Sequence, residues 1–146
     1  MDYTPIAVVT LWGAAAVHAL VIREHFAEWA AAGVFFVLLT FVEAGLALWL
    51  TARPRSDAAM SAALLVSVGT VVLWSVSRTV GLPFGPDALH PEAVHANDVL
   101  ATAFEAVTVV ALFVERYGSR TRVEGARANG HQLHDEPGHP RAGRRG

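Results

Sequence analysis

The chain contains no cysteine and no lysine. The first absence excludes a disulfide framework, a thiolate metal site and a cysteine nucleophile, and the second makes all eleven basic side chains arginines. The sequence also has no Gly-x-x-x-x-Gly-Lys phosphate loop, no Gly-x-Ser-x-Gly nucleophile elbow and no His-Glu-x-x-His zinc helix. The common signatures of nucleotide hydrolysis, serine hydrolysis and metalloproteolysis are therefore missing.

Long apolar runs dominate what is present. Hydrophobic residues make up 53% of the chain, above the roughly 45–50% typical of soluble domains. They gather in four blocks, each close to the roughly 20 residues that a helix needs to cross a bilayer: Ile6–Ile22, Ala30–Leu50, Ala58–Val76 and Val99–Val114. A water-soluble bundle would need a polar stripe along every helix, and the second and third blocks have none wide enough. The pattern predicts an all-α, up-down-up-down transmembrane bundle over residues 1–117.

The arginines predict the orientation of this bundle. Nine of the eleven lie between the second and third blocks or after the fourth. Because cytoplasmic loops are enriched in arginine and lysine, both termini are expected in the cytoplasm. Residues 118–146 are rich in Arg, Gly and His without apolar periodicity, which predicts a disordered cytoplasmic tail. Its arginines are expected to face lipid head groups rather than nucleic acid, and its histidines form a second metal-capable cluster: His131, His134 and His139.

Two carboxylates lie inside blocks that are otherwise apolar. Glu43 interrupts the second block and Glu105 interrupts the fourth. An ionised side chain at the centre of a bilayer costs roughly 3 kcal/mol or more, so such residues mark functional or pairing sites.

Counting depth from the polar segment Arg23–Trp29 places His18 about 7 Å into the membrane. Counting from Asp98 places Glu105 about 10 Å in. This shared depth predicts a metal site in the outer half of the bundle, because imidazole and carboxylate groups are ligands of Cu, Zn and Fe. The predicted metal ligands are His18, His25, His95 and Glu105. Arg78 and Asp98 are expected to support these ligands, and Glu43 is expected to be a deeper group that could relay protons.

Other functions stay open on the sequence. A b-type haem or a quinone could use His18 or His25, and the buried polar groups could instead only lock helices together in a non-catalytic assembly subunit. Glu105 could form an ion pair with Arg78. A proton or ion transporter with Glu43 as relay would need a homo-oligomer or a membrane-protein partner to enclose a path.

Several segments carry a resemblance to known proteins. They are Val76-Ser77-Arg78-Thr79-Val80-Gly81-Leu82-Pro83-Phe84-Gly85-Pro86, His90-Pro91-Glu92, Asn97–Glu105 and the Glu24–Trp29 segment after a helical histidine. Over about Leu11 to Glu115 the chain resembles a set of small four-helix bacterial integral membrane proteins with no assigned reaction. The resemblance implies the four-helix fold and a multi-pass protein of the bacterial inner membrane, and it groups the residues that depth-counting selects. Some of those proteins have Gln where this chain has Glu43.

Overall fold

Four long helices make up the computed structural model, which describes residues 2–134 and their side chains as far as Gly118. They are α1 (Thr4–Glu28), α2 (Ala30–Ala52), α3 (Asp57–Thr79) and α4 (Ala96–His134). Each contains a stretch that is long and apolar enough to cross a membrane. The all-α transmembrane prediction is confirmed. Every helix extends beyond its predicted block because backbone hydrogen bonding continues into the polar flanks, where hydropathy no longer marks it.

The chain divides into two compact units, Met1–Glu115 and Arg116–Gly146. The first unit forms the four-helix bundle. The predicted tail begins inside α4, whose backbone is helical as far as His134. Residue His139 and the side chains of His131 and His134 lie outside the described residues, so the predicted tail cluster stays a prediction.

Neighbouring helices in the first unit run antiparallel. Between α1 and α4, the Thr10 hydroxyl lies 2.6 Å from that of Thr108, and the Tyr3 backbone N–H donates to Glu115 at 2.8 Å. Residue numbers therefore fall along α1 as they rise along α4. We call the end that contains the α1–α2 turn and the 80–95 linker the linker end, and the opposite end the terminal end.

The α1–α2 hairpin turns at one residue, without glycine or proline. Trp29 is extended, with φ −158° and ψ 123°. Its N–H donates to the His25 carbonyl at 2.8 Å, and its own carbonyl accepts from Gly33 at 3.1 Å. The turn therefore leaves no backbone group of Trp29 unpaired, as a membrane interface requires. Gly33 is buried against the Phe26 ring, which closes the hairpin.

The linker between α3 and α4 folds back over the bundle. Gly81 has φ +79° and lies against the His90 backbone, so a side chain would be both strained and obstructed there. Further along, Gly85 and Phe84 pack on Trp29 of the α1–α2 turn. The linker is therefore anchored at the linker end of the first unit.

Burial in the first unit is typical of a protein that lies in lipid. Large apolar side chains are exposed on every helix, including Leu20, Phe41, Leu65 and Phe113. A water-soluble protein rarely presents so much contiguous apolar surface. The buried apolar side chains form one cluster, which we call the aliphatic core: Ala7, Leu11, Leu46, Ala47, Leu50, Ala59, Met60, Ala63, Ala111 and Leu112.

Candidate metal centre

Three ionisable side chains from three helices meet inside the bundle. His18 comes from α1, Glu43 from α2 and Glu105 from α4, with exposures of 4%, 0% and 0%. One ligand atom from each lies within 4.8 Å of the other two. We call these three residues the buried cluster. In residues 2–118 it is the one group of three His, Asp or Glu side chains close enough to hold an ion.

Glu43 orients the imidazole of the buried cluster. Its Oε2 lies 2.9 Å from His18 Nδ1. Phe36, which is also on α2, lies beside the imidazole, with 5.5 Å between the centroids of the two rings. A carboxylate on one ring nitrogen fixes the tautomer and orientation of a histidine, and this is the usual partner of a metal-bound imidazole.

The remaining carboxylate oxygens of the buried cluster have no hydrogen-bond partner. They are Glu43 Oε1 and both oxygens of Glu105. The Glu105 carboxyl faces the Glu43 carboxyl and the buried Ser67 hydroxyl of α3, and a proton held by either carboxyl would join the two. Buried polar atoms in native proteins are nearly always paired. Three such acceptors beside one imidazole can be satisfied by a cation or by protons held on the carboxyls.

The buried cluster lies near the middle of the helices. At 1.5 Å per residue, His18 is about 15 Å from the end of α1 at Glu28, and Glu105 is about 14 Å from the start of α4 at Ala96. Both residues lie further from the helix ends than the predicted distances of about 7 and 10 Å, because that prediction counts from Arg23 and Asp98, whereas α1 continues as a helix to Glu28 and α4 begins at Ala96. The location in the outer half of a membrane stays a prediction.

Glu43 lies at the same level as His18 and contacts it, whereas the sequence predicted a separate, deeper group. The antiparallel α1–α2 hairpin brings the two residues opposite each other. The sequence contains the information for this contact. If α1 continues as a helix through the polar segment to a tight turn at Trp29, His18 and Glu43 face each other. Ser67, one of the few polar residues in the apolar block of α3, lies beside Glu105.

The structure does not bring His25 or His95 to the buried cluster. The Nδ1 of His25 lies 2.9 Å from the Val21 carbonyl of its own helix, and its ring stacks on Phe36 at 3.9 Å. His95 is at the linker end with 74% of its side chain exposed, 3.5 Å from Asp98. The predicted ligand set of His18, His25, His95 and Glu105 thus separates into two residues inside the cluster and two outside it.

Arg78 and Asp98 form a different structure from the one predicted. Arg78 pairs with Asp98 at 2.8 Å and also with Glu92, so it contacts other carboxylates than Glu105. The Glu92 backbone N–H donates to the Ser77 carbonyl at 3.0 Å. These contacts hold the 80–95 linker to α3 and α4. Asp98 is two helical turns from Glu105, so the two residues support the linker end rather than the ligands.

Comparison with known proteins adds no assignment, since no family model, curated protein or solved structure matches the chain. What the first unit shows is four membrane-spanning-capable helices that enclose a His/Glu/Glu group able to hold a metal ion.

Proposed function

We propose that this chain is a multi-pass membrane protein that binds one divalent transition-metal ion between His18, Glu43 and Glu105. The observation that supports it is the set of three unpaired carboxylate oxygens beside an imidazole, all buried at the middle of the helices. No protein donor from residues 2–118 satisfies those oxygens. An ion bound between the three residues would give both carboxylates the partner they lack.

Charge balance favours a divalent ion. Two ionised carboxylates and a neutral imidazole carry a formal charge of −2, and an uncompensated charge at this depth is expensive. Arg78, the cation of α3, pairs with Glu92 and Asp98 and does not compensate it. One bound divalent cation would bring the formal charge of the cluster and the ion together to zero. Two protons would also neutralise it, so protons are expected to compete with the metal.

The donor atoms narrow the choice of metal. One imidazole nitrogen with carboxylate oxygens suits Zn, Fe, Mn or Cu(II), while the lack of thiolate disfavours Cu(I). Each residue of the buried cluster offers one ligand atom to such an ion, a ring nitrogen of His18 and a carboxylate oxygen each of Glu43 and Glu105, and these atoms lie within 4.8 Å of one another. The Ser67 hydroxyl is the additional oxygen beside them.

Metal binding by the purified full chain tests this function. The protein would be prepared in detergent with a histidine-free affinity tag, loaded separately with Zn²⁺, Mn²⁺, Fe²⁺ or Cu²⁺, and analysed for bound metal after removal of excess ion. We expect near-stoichiometric retention of at least one of these ions. Glu105→Gln and His18→Ala should each weaken binding at least about 100-fold, since loss of even a supporting partner costs 10–100-fold.

Matched histidine variants are the controls. His95→Ala and His25→Ala remove imidazoles outside the buried cluster and should leave binding unchanged. A variant with the three tail histidines replaced by alanine separates weak tail binding from the buried site. Equal metal content in wild type and Glu105→Gln would refute the proposed site.

The same preparation tests the haem and quinone alternatives. A haem with His18 or His25 as axial ligand would give a Soret band, and a quinone would extract into organic solvent. A colourless, quinone-free protein that retains a metal ion at stoichiometric level favours the metal site over both.

A further inference from the structure

The side chains one step along the bundle from the buried cluster differ sharply in the two directions. A step of seven residues is two helical turns, or about 10.5 Å, and it returns to the same helix face. Starting from His18, Glu43, Ser67 and Glu105, the step toward the terminal end reaches a set that we call the terminal layer: Leu11, Leu50, Met60 and Leu112. The step toward the linker end reaches the linker layer: His25, Phe36, Trp74 and Asp98.

The terminal layer is apolar and closed. Leu11, Leu50 and Leu112 are fully buried and Met60 is 6% exposed. All ten residues of the aliphatic core lie on this side of the buried cluster. The polar pair on this side, Thr10 and Thr108, is satisfied by its mutual hydrogen bond and by carbonyls of its own helices. Between this pair and the buried cluster, the terminal half of the first unit has apolar buried side chains.

Three of the four members of the linker layer carry a polar group, and all four are only half-buried. Two buried donors on this side have no partner, the Trp74 Nε1–H in the layer and the Arg78 Nε–H one turn beyond it. Buried donors that lack a protein partner are usually satisfied by water. Water on this side would reach toward the buried cluster, whereas the terminal layer excludes it.

The charges at the two ends point in the same direction. Residues 23–29 and 78–98 of the linker end contain five carboxylates and two arginines, a formal charge of −3. Residues 2–4 and 52–57 of the terminal end, together with Glu115, contain three carboxylates and two arginines, a formal charge of −1. A negative potential raises the local concentration of cations at the linker end.

We infer that a divalent cation reaches the buried cluster from the linker end alone, and that the terminal half of the bundle is a dry seal. This inference rests on the proposed function for its ligand, but the accessibility it predicts is independent of metal binding. It makes the chain a one-sided site, suited to sensing or holding a cation from the compartment that the linker faces. It does not make the single bundle a path across the membrane.

Single cysteines test this directly, because the natural chain has none. The matched pair on α4 is Ala101 and Ala111, buried alanines on the linker and terminal sides of Glu105 with 5% and 4% exposure. Thr102 and Thr108 are each three residues from Glu105 in opposite directions, Thr102 half-buried and Thr108 fully buried, and they serve as a second comparison. Each would be replaced by cysteine in the full chain. A small, charged, membrane-impermeant methanethiosulfonate would then be applied to right-side-out and inside-out vesicles, with Leu89→Cys and Ala52→Cys as markers of the two faces.

We expect Thr102→Cys and Ala101→Cys to react from the face that labels Leu89→Cys. Their reaction should be at least tenfold faster than that of Thr108→Cys and Ala111→Cys, which should stay unreactive from either face until the membrane is dissolved in SDS. Zn²⁺ should slow the reaction of Thr102→Cys at least tenfold, and adding Glu105→Gln should remove this protection.

Reaction of Thr108→Cys or Ala111→Cys in intact vesicles, or failure of both linker-side cysteines to react, would overturn one-sided access. The expected labelling pattern without Zn²⁺ protection would instead support the access route and refute the metal site. Two controls apply to any variant that does not react. A circular dichroism spectrum unchanged from wild type shows that the variant is folded, and full labelling after SDS is added shows that it carries a free thiol.

Discussion

Replacing Glu105 by methionine separates a metal site from a simple helix lock. Methionine has a similar length and no hydrogen-bonding requirement that the site must meet. In the metal-free protein, Glu105 is 0% exposed and both of its carboxylate oxygens lack a partner. An unsatisfied buried polar group costs about 1–3 kcal/mol. Glu105→Met is therefore expected to raise the free energy of unfolding of the metal-free chain by about 1–3 kcal/mol.

The same substitution should remove stabilisation by metal. An ion that binds only the folded state adds about 2.7 kcal/mol when its concentration is 100 times the dissociation constant. Wild type should gain that amount on addition of Zn²⁺, and Glu105→Met should gain almost nothing. The assay is equilibrium unfolding in mixed micelles with increasing SDS, followed by circular dichroism, with chelator and then with saturating Zn²⁺.

Thr108→Val is the matched control on the same helix. It removes the 2.6 Å contact with Thr10 while keeping the side-chain shape. Interhelical hydrogen bonds in membranes average about 0.6 kcal/mol, so Thr108→Val should destabilise the chain by about that amount with or without metal. If Glu105→Met instead destabilises the metal-free protein, Glu105 stabilises the bundle as a structural group. The helix-locking assembly role would then replace the metal site.

Three further predictions follow from the same structure. Gly33→Ala should destabilise the bundle by about 1–3 kcal/mol, because the added methyl overlaps the Phe26 ring. Gly45→Ala is its control: the added methyl would have no neighbouring atom within 4 Å, so this variant should be neutral or stabilising in the same SDS titration. Arg78→Met should release the 80–95 linker, measured as at least tenfold faster limited proteolysis there, while the exposed Arg23→Met should not change the rate. Metal affinity measured between pH 8 and pH 5 should fall with acid, by about tenfold per pH unit for each proton that the ion displaces; a pH-independent affinity would contradict binding by carboxylate and imidazole.

The fold could be predicted from hydropathy because the bilayer sets one dominant length for every apolar block. Ala30–Leu50 was predicted and Ala30–Ala52 is observed. The polar segment Arg23–Trp29 was harder, since it has no helix breaker and α1 runs through it. That extension places His18 about 15 Å from the end of α1, further in than the predicted distance of about 7 Å.

The candidate site could be predicted only in part. His18 and Glu105 stand out because each is polar within an apolar block, and the structure brings them together. Their partner Glu43 depends on the register of the α1–α2 hairpin, which a single-residue turn at Trp29 determines. His95 lies beside the 80–95 linker, whose fold depends on Gly81 and on the Arg78 ion pairs. Hydrophobic periodicity does not report such tertiary contacts.

The way hydroxyl groups are used in this bundle argues that the buried cluster is more than structural glue. Nine serine and threonine side chains donate to the carbonyl three or four residues earlier in their own helix, as polar residues in apolar helices usually do: Thr10, Thr40, Thr51, Ser61, Thr70, Ser75, Ser77, Thr79 and Thr108. Ser67 is fully buried beside Glu105 and makes no such bond. A chain that pairs its other buried hydroxyls so consistently leaves Ser67, Glu43 and Glu105 with free oxygens at one level. Since each unpaired oxygen destabilises the protein alone, their convergence supports the proposed cation site, and the metal-loading and Glu105→Met experiments distinguish it from protons held on the two carboxyls.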